Sequence, residues 1–420
     1  MQTVGLIVEY NPMHNGHLYH LQQSKQIADA DAVVAVMSGH FLQRGEPALL
    51  DKWARADMAL ANGVDLVLEL PTAYAVQPAE WFAHGAVATL AATGVVDAFC
   101  FGSELGELEP LARAAQRLTR EDSAFAARLR SALKQGVSYP AAYAQAAAAE
   151  TAAAGGDAAA DASWLAEPNN SLGLHYMMAS ERLTSAMKPY TIRRVSAGYH
   201  DTIAHSDTIA SATAVRRLIH HESAQSAEPY LPSVSQNIIN QWAAAGKQFG
   251  HWESYAVALF YRLSTASPEA LHSILEVTEG LEHRLLHTLP QLTEWRVQPL
   301  LEALKTKRYT LTKLQRMLTH ILLDHTKDDF GPEALQRGPH YIRVLGFSEK
   351  GQILLKKMKK SASLPIVQTV TRENSMLGGT AGLAADIRAT AVYAAGISRV
   401  HGRTAYRDFY EPPRQSRPSN

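Results

Sequence analysis

Four short apolar runs, at 3–8, 32–37, 66–70 and 98–101, punctuate the first hundred residues. Each is rich in β-branched or aromatic side chains and bounded by turn residues, the pattern of strands buried on both faces of a parallel sheet. Between them, residues 16–28, 49–62 and 79–92 carry apolar side chains at helical spacing. The order βαβαβαβ predicts an α/β domain with a doubly wound parallel sheet, in which ligands gather at the carboxyl ends of the strands.

From 139 to 166 the chain is nearly pure alanine with Gly, Gln, Asp and Glu, a surface helix pair or insertion with no chemistry of its own. Residues 169–183 read as a helix and 190–195 as a returning strand. The first, Rossmann-like domain is therefore expected over 1–222, a mainly helical region over 223–410, and a flexible tail over 411–420.

Composition narrows the class. Cys100 is the only cysteine, which excludes an intrachain disulfide and a multi-cysteine zinc site. The opening MQTVGLIVEY has no basic segment leading into an apolar one, and no stretch approaches bilayer length, so a cytoplasmic protein without a membrane partner is expected. The formal charge is zero, yet residues 301–420 carry 20 Lys and Arg against 10 Asp and Glu. A basic C-terminal region of this kind points to a nucleic acid or another acidic macromolecule, or else to a solvated surface.

The chemistry concentrates where the first strand ends. In GLIVEYNPMHNGHLYH, strand residues run into a turn at Asn11-Pro12 and then into a helix starting near Asn15, with His14 and His17 three apart at its start. Both imidazoles then lie beside free backbone N–H groups at the positive end of the helix dipole, a seat for a triphosphate. Gly16 removes a side chain between them. Donors aimed at the equatorial oxygens of the α-phosphorus stabilise the transition state of nucleotidyl transfer more than the ground state. Taken alone, an HxxH pair also fits surface histidines or two metal ligands; its place after the first strand, without the glutamate of an HExxH motif, favours the nucleotide.

This opening resembles the HIGH nucleotidyltransferase superfamily. VEYNPMHNGHLYH, MSGHFLQRGEPALLDKWARADMAL, GVDLVLELP, FGSE, EPNNSLGLHY, AGYHD, SATAVR, KTKRYTLTKLQRMLTHILL and YIRVLGFSEKGQ together resemble the tRNA(Met) cytidine acetate ligase family over nearly the whole chain apart from the alanine-rich stretch. The resemblance implies an ATP-dependent ligase that activates acetate as acetyl-adenylate and acetylates the wobble cytidine of elongator tRNA(Met) to N4-acetylcytidine. ATP would enter with Mg2+, and no protein metal site is implied. His14 and His17 would be catalytic. The ATP cradle would comprise Ile7, Val8, Glu9, Tyr10, Asn11, Pro12, Met13, His14, Asn15, Gly16, His17, Leu18, Tyr19 and His20, completed by Gly102, Asn169 and Arg194; which of Arg193 and Arg194 faces ATP stays open.

Several further groups follow from the residues. SATAVR resembles the ISSTxxR element of small adenylyltransferases and offers Ser211, Thr213 and Arg216 to phosphates, or simply a capped helix. Ser38, Gly39 and His40, with the loop Gln43, Arg44, Gly45 and Glu46, are a candidate acetate pocket at the active edge. Lys52 and Arg55 either counter anionic charge or form the solvated face of a helix. KMKKS at 357–361 suits phosphate contact better than catalysis. For tRNA, Lys305, Lys307, Arg308, Lys313, Arg316, Arg343, Lys356, Lys357, Lys359 and Lys360 form a candidate phosphate track, with Tyr309, Tyr341 and Phe347 as stacking candidates. Two alternatives remain at this point: an enzyme that adenylates a phosphorylated coenzyme precursor, and a non-catalytic RNA-binding factor.

Overall fold

The four apolar runs are strands in the computed structural model: β1 (Thr3–Val8), β2 (Ala32–Ser38), β3 (Leu66–Leu70) and β4 (Ala98–Ser103), joined by β5 (Lys188–Arg193). The structure describes residues 1–119, 123–135, 137, 141–143, 145–146, 148–149, 164–165, 167–194, 208–397 and 402–416. Most of the alanine-rich stretch, the AGYHD segment and the last four residues of the expected tail lie outside them.

Helices of eight or more residues among the described residues are α1 (Asn15–Ile27), α2 (Lys52–Ala61), α3 (Ala79–Ala92), α4 (Leu108–Leu118), α5 (Ser123–Lys134), α6 (Pro168–Arg182) and α7 (Ala212–His221) in the first part. The second part adds α8 (Ser233–Ala244), α9 (Ala256–Thr265), α10 (Leu281–Thr288), α11 (Val297–Leu304), α12 (Leu311–Leu323), α13 (Glu349–Ser361) and α14 (Leu383–Ile397). Strand order is β5-β4-β1-β2-β3 in parallel. The sheet then continues through β6 (Ile342–Phe347), antiparallel to β3, to β7 (Ile366–Val367), while β8 (Arg414–Gln415) also pairs with β6.

Alternate residues of each strand serve two cores. Leu6, Val8, Val33, Ala35, Met37 and Cys100 pack on the side of α1 and α2, in a core continuous with α8 to α12 through Ile239, Leu259, Leu281, Leu300 and Met317. Val34, Val36, Leu68, Phe99 and Phe101 face α3, α4, α6 and α13. Burial on both faces explains why the strands read as unbroken apolar runs.

The region after 222 thus returns to the sheet. β6 was hidden in the sequence because Arg343 lies in its middle, although only 1% of that residue is exposed. Its guanidinium donates to the Gln368 carbonyl at 2.7 Å and lies 3.6 Å from Asp408. The expected tail also begins too early at 411: Arg414 pairs with Asp57 and Glu411, and β8 seals the sheet margin.

Around Arg343 runs a buried ionic network. The Lys52 ammonium donates to both oxygens of Glu69, at 2.9 and 2.8 Å, and to Asp408 at 2.8 Å. Thr390 donates to the other Asp408 oxygen, and Asp386 accepts from Tyr341 and from the Thr72 N–H. Breaking one partner of such a group strands the remaining charges in low dielectric and costs about 3–5 kcal/mol. Lys52→Met should therefore lower unfolding free energy by about 3 kcal/mol or more in urea titration; a loss below about 1 kcal/mol would show that the network does not clamp the fold.

Candidate active site

At the end of β1, Tyr10 adopts φ 46° and the chain turns through a cis Asn11-Pro12 bond into α1. His14 is the N-cap of that helix. Its Nδ1 accepts the Gly16 N–H at 3.1 Å, while the His17 Nδ1 accepts the His14 N–H at 3.4 Å. The two imidazoles thereby close a reciprocal capping box, with ring centroids 3.8 Å apart. Because the His14 Nδ1 accepts, its neutral ring carries the proton on Nε2, while the His17 ring also donates to the Pro12 carbonyl. A Cβ at Gly16 would sit 2.9 Å from the His14 Cε1, so the glycine first makes room for the ring itself.

Electrostatics keep these rings neutral. Burial, followed by the charges of Arg194 and Arg216, pushes His14 down to about 4. His17 lies well below its ordinary value through burial, then His14, Arg194 and His20, with the Pro12 carbonyl acting in the opposite sense. His20 is lowered to about 4 by burial and Arg194, and its Nε2 is buried without a partner among the described residues.

Arg194 follows the end of β5 and is exposed, with its aliphatic stem over Gly102: a Cβ there would lie 3.0 Å from the Arg194 Cγ. Arg193 instead packs against Gly106. It is therefore Arg194 whose field reaches the three histidines, and Gly102 lets it lie flat across the end of β4. Asn169 opens α6, where Glu104 caps the helix: one Glu104 oxygen accepts the Asn169 N–H and Nδ2 at 3.2 and 2.6 Å, the other the Asn170 N–H at 2.8 Å. The Asn169 Oδ1 is left as an acceptor.

Of the remaining stretch 7–20, Val8, Tyr10, Asn11, Pro12 and Met13 are buried and form the floor of the turn, whereas Ile7, Glu9, Asn15, Gly16, Leu18 and Tyr19 are half-buried. Asn11 accepts the Leu49 N–H at 2.6 Å through Oδ1. Asn15 donates to the carbonyls of Thr208 and Pro229, which draws the start of α7 to the start of α1. Ser211 caps α7, and Arg216 donates to the Asn11 carbonyl at 3.1 Å and pairs with Glu46 at 3.0 Å. Arg216 therefore joins the site, beside the Asn11 turn and within electrostatic reach of His14.

The loop at 42–46 does overhang this edge. The Gln43 N–H reaches Glu9 at 2.7 Å, its side chain reaches the Gln77 carbonyl, and Gly45, at φ 74°, is wedged against the backbone of α12 at Arg316. Arg44 is exposed at the loop tip. The proposed acetate residues before it lie at the edge but are buried: His40 packs against Thr390 and Tyr393, and the Ser38 hydroxyl is buried without a partner among the described residues. Lys52 and Arg55 are not a solvated helix face, because both are fully buried; Lys52 counters the carboxylates of Glu69 and Asp408 inside the fold. Arg55 donates to the carbonyls of Glu9, Ser38, Gly39 and Leu50, binding the ends of β1 and β2 together.

The RNA candidates divide. Arg343 and Tyr341 are buried, Arg316 pairs with Glu276 at 2.9 Å, and Tyr309 is buried with its hydroxyl on the Glu279 carbonyl, so none is free for RNA. Lys313 bonds Thr278, Arg308 is exposed but paired with Glu279, and Phe347 is half-buried. Lys305 and Lys307 are exposed in the turn before α12, the helix that holds the 42–46 loop. Lys356, Lys357, Lys359 and Lys360 are exposed on α13. That helix spans the amino edge of the sheet, bonding Asp31 through Lys350 and Thr93 through Ser361, opposite the histidines. Sequence reasoning missed Glu104 as the cap of α6; the predicted helix start at Asn169, with an acid just after β4, carried the signal.

The HIGH nucleotidyl transferase family profile matches residues 1–408. A tRNA(Met) cytidine acetate ligase of Lysinibacillus sphaericus is 41% identical over 417 residues, covering 98% of this chain and 99% of that protein. That of Bacillus subtilis is 44% identical over 376 residues, covering 88% of each. The crystal structure of Thermotoga maritima TmcAL bound with alpha-thio ATP superposes with a TM-score of 0.89 at 34% identity, covering 99% of both chains. No helix among the described residues is long and apolar enough to cross a membrane.

The depressed imidazoles have a consequence for stability. A histidine whose folded pKa lies below its unfolded value near 6.5 contributes stability that is present above that value and lost as pH falls toward the folded one. With His14, His20 and His175 lowered to about 4, unfolding midpoints in urea should fall steadily between pH 6.5 and 4. A flat profile across that window would contradict the neutral burial of these rings.

Proposed function

Since the chain belongs to the HIGH nucleotidyl transferase family, within its tRNA(Met) cytidine acetate ligase branch, we propose that it activates acetate with ATP and acetylates the wobble cytidine of elongator tRNA(Met). The observation that carries this reading is the mutual capping of His14 and His17 at a helix N-terminus, with both rings in the field of Arg194 and His14 also in that of Arg216. In the first step an acetate oxygen attacks the α-phosphorus, pyrophosphate leaves, and acetyl-adenylate forms. The neutral histidines stabilise charge growing on the phosphorus oxygens. Arg194 and Arg216 hold the phosphates, while Gly102 and the Asn169 Oδ1 admit the nucleoside.

Magnesium would arrive as the ATP complex, ligated by phosphates and water. Among the described residues no cluster of three or more His, Cys, Asp or Glu is placed to hold a metal ion. In the second step the exocyclic amine of cytidine takes the acetyl group and AMP leaves. The helical part beyond 222 would carry the tRNA, with Lys305 and Lys307 on the same side as the loop at 42–46. A cytoplasmic location suits these substrates.

His17→Ala removes one transition-state donor and should slow modified-cytidine formation by about two to three orders of magnitude. Pyrophosphate release with ATP and acetate, with and without tRNA, should fall in parallel in the same variant; undiminished release would sink the assignment, and wild-type release that ignores acetate but requires a phosphorylated coenzyme precursor would favour an adenylyltransferase of such precursors. For the tRNA path, Lys305→Glu with Lys307→Glu should raise KM for tRNA and flatten its salt dependence, whereas Lys357→Glu with Lys360→Glu on the far edge should do so much less. The reverse order would place the RNA on the amino edge.

A further inference from the structure

Glu9 is the last residue before the Tyr10 turn, five positions ahead of His14. Neighbouring side chains of β1 divide between the two cores, Val8 and Tyr10 in one and Ile7 against the other. The Glu9 carboxyl has one oxygen fixed: Oε1 accepts the Gln43 N–H at 2.7 Å. Its Oε2 has no hydrogen bond or ion pair among the described residues. Arg44, Arg216, Glu46, Arg55 and Tyr176 all lie within electrostatic reach. Arg216 pairs with Glu46 and Arg55 is committed to backbone carbonyls, while Arg44 acts on the carboxylate through its field without an ion pair among the described residues.

The other charged groups at this edge are mostly donors: Arg44, Arg194 and Arg216. Glu104 uses its oxygens to cap α6, and Glu46 uses its own on Arg216 and Gln315. A cytosine amine is also a donor, with its lone pair delocalised into the ring, so it needs an acceptor and a base. A carboxylate is acceptor-only, and Glu is a residue type that accepts from cytosine N4.

We propose that Glu9 is a catalytic residue of the transfer step, its free oxygen accepting the cytidine N4–H and taking that proton as the amine attacks. This rests on the acetyl-transfer reading above. The N4 lone pair forms the bond to the acetyl carbon, the bond from that carbon to the phosphate oxygen breaks with its electron pair leaving on AMP, and the N4 proton moves to Oε2 and then to water. The products are N4-acetylcytidine and AMP, with one proton released. Burial raises the Glu9 carboxyl above its ordinary value, which strengthens it as a base.

Glu9→Gln tests this while keeping the loop, because the amide oxygen retains the Gln43 bond and the free atom becomes an NH2, a donor where an acceptor is required. With ATP, acetate and a transcript of elongator methionine tRNA, transfer should fall by about 10²–10⁴, a larger factor than the fall in acetate-dependent exchange of pyrophosphate into ATP. The acid limb of the transfer rate, present in the wild type above the usual carboxylate range, should vanish in Glu9→Gln and persist in Glu9→Asp with part of the activity. Equal loss of exchange and transfer, or full transfer by Glu9→Gln, or an acid limb that survives in it, each overturns the proposal. A wild type without acetate-dependent exchange would instead remove the acetyl-adenylate reading, and this inference with it.

Discussion

The first turn of a helix has backbone N–H groups with no partner inside the helix. In this protein two of them are met by imidazoles, one from the cap residue and one from the third helical residue, and each ring uses its Nδ1 to do so. That one local bond pattern fixes both rings against the start of the helix, with their centroids 3.8 Å apart. Burial and two nearby guanidinium groups then keep the rings uncharged. A neutral donor aimed at a phosphorus oxygen needs no proton transfer during reaction, which suits stabilisation of developing charge rather than acid–base work.

Holding that turn in place is the task of charges that never meet solvent. Arg55 gathers the carbonyls at the ends of β1 and β2, and Lys52 one turn earlier binds Glu69 of β3 and Asp408 from near the C-terminus. The same helix thus fixes the carboxyl edge of the sheet and fastens the end of the chain to it. Thr390 and Asp386 on α14, Tyr341 before β6 and Arg343 within it extend the network, so the late segments are part of the sheet's support rather than an appended body.

The basic residues of the second half face two ways for an architectural reason. α12 is held to the active edge because Gly45 lets the loop backbone press against it, and the Thr319 hydroxyl bonds the Gly45 carbonyl at 2.9 Å. α13 lies along the opposite edge because Ser348 and Gly351 seat its start on Asp65, just ahead of β3. Residues that form one basic block in the chain are therefore separated by the length of the strands.

The parallel strands, the helix starting at Asn15 and the paired histidines were legible in the amino-acid order alone, since each depends on residues a few positions apart and on periodicities of the local backbone. What the fold alone decided is where charge goes. Hydropathy treats Lys52, Arg55 and Arg343 as surface residues, yet each is buried by partners that come from distant segments, and that burial also concealed β6. The choice between Arg193 and Arg194, the arrival of Arg216 beside Asn11 and the free oxygen of Glu9 are likewise set by the packing of distant loops: an ionisable side chain takes its role from the field and solvent around it, and those belong to the assembled molecule.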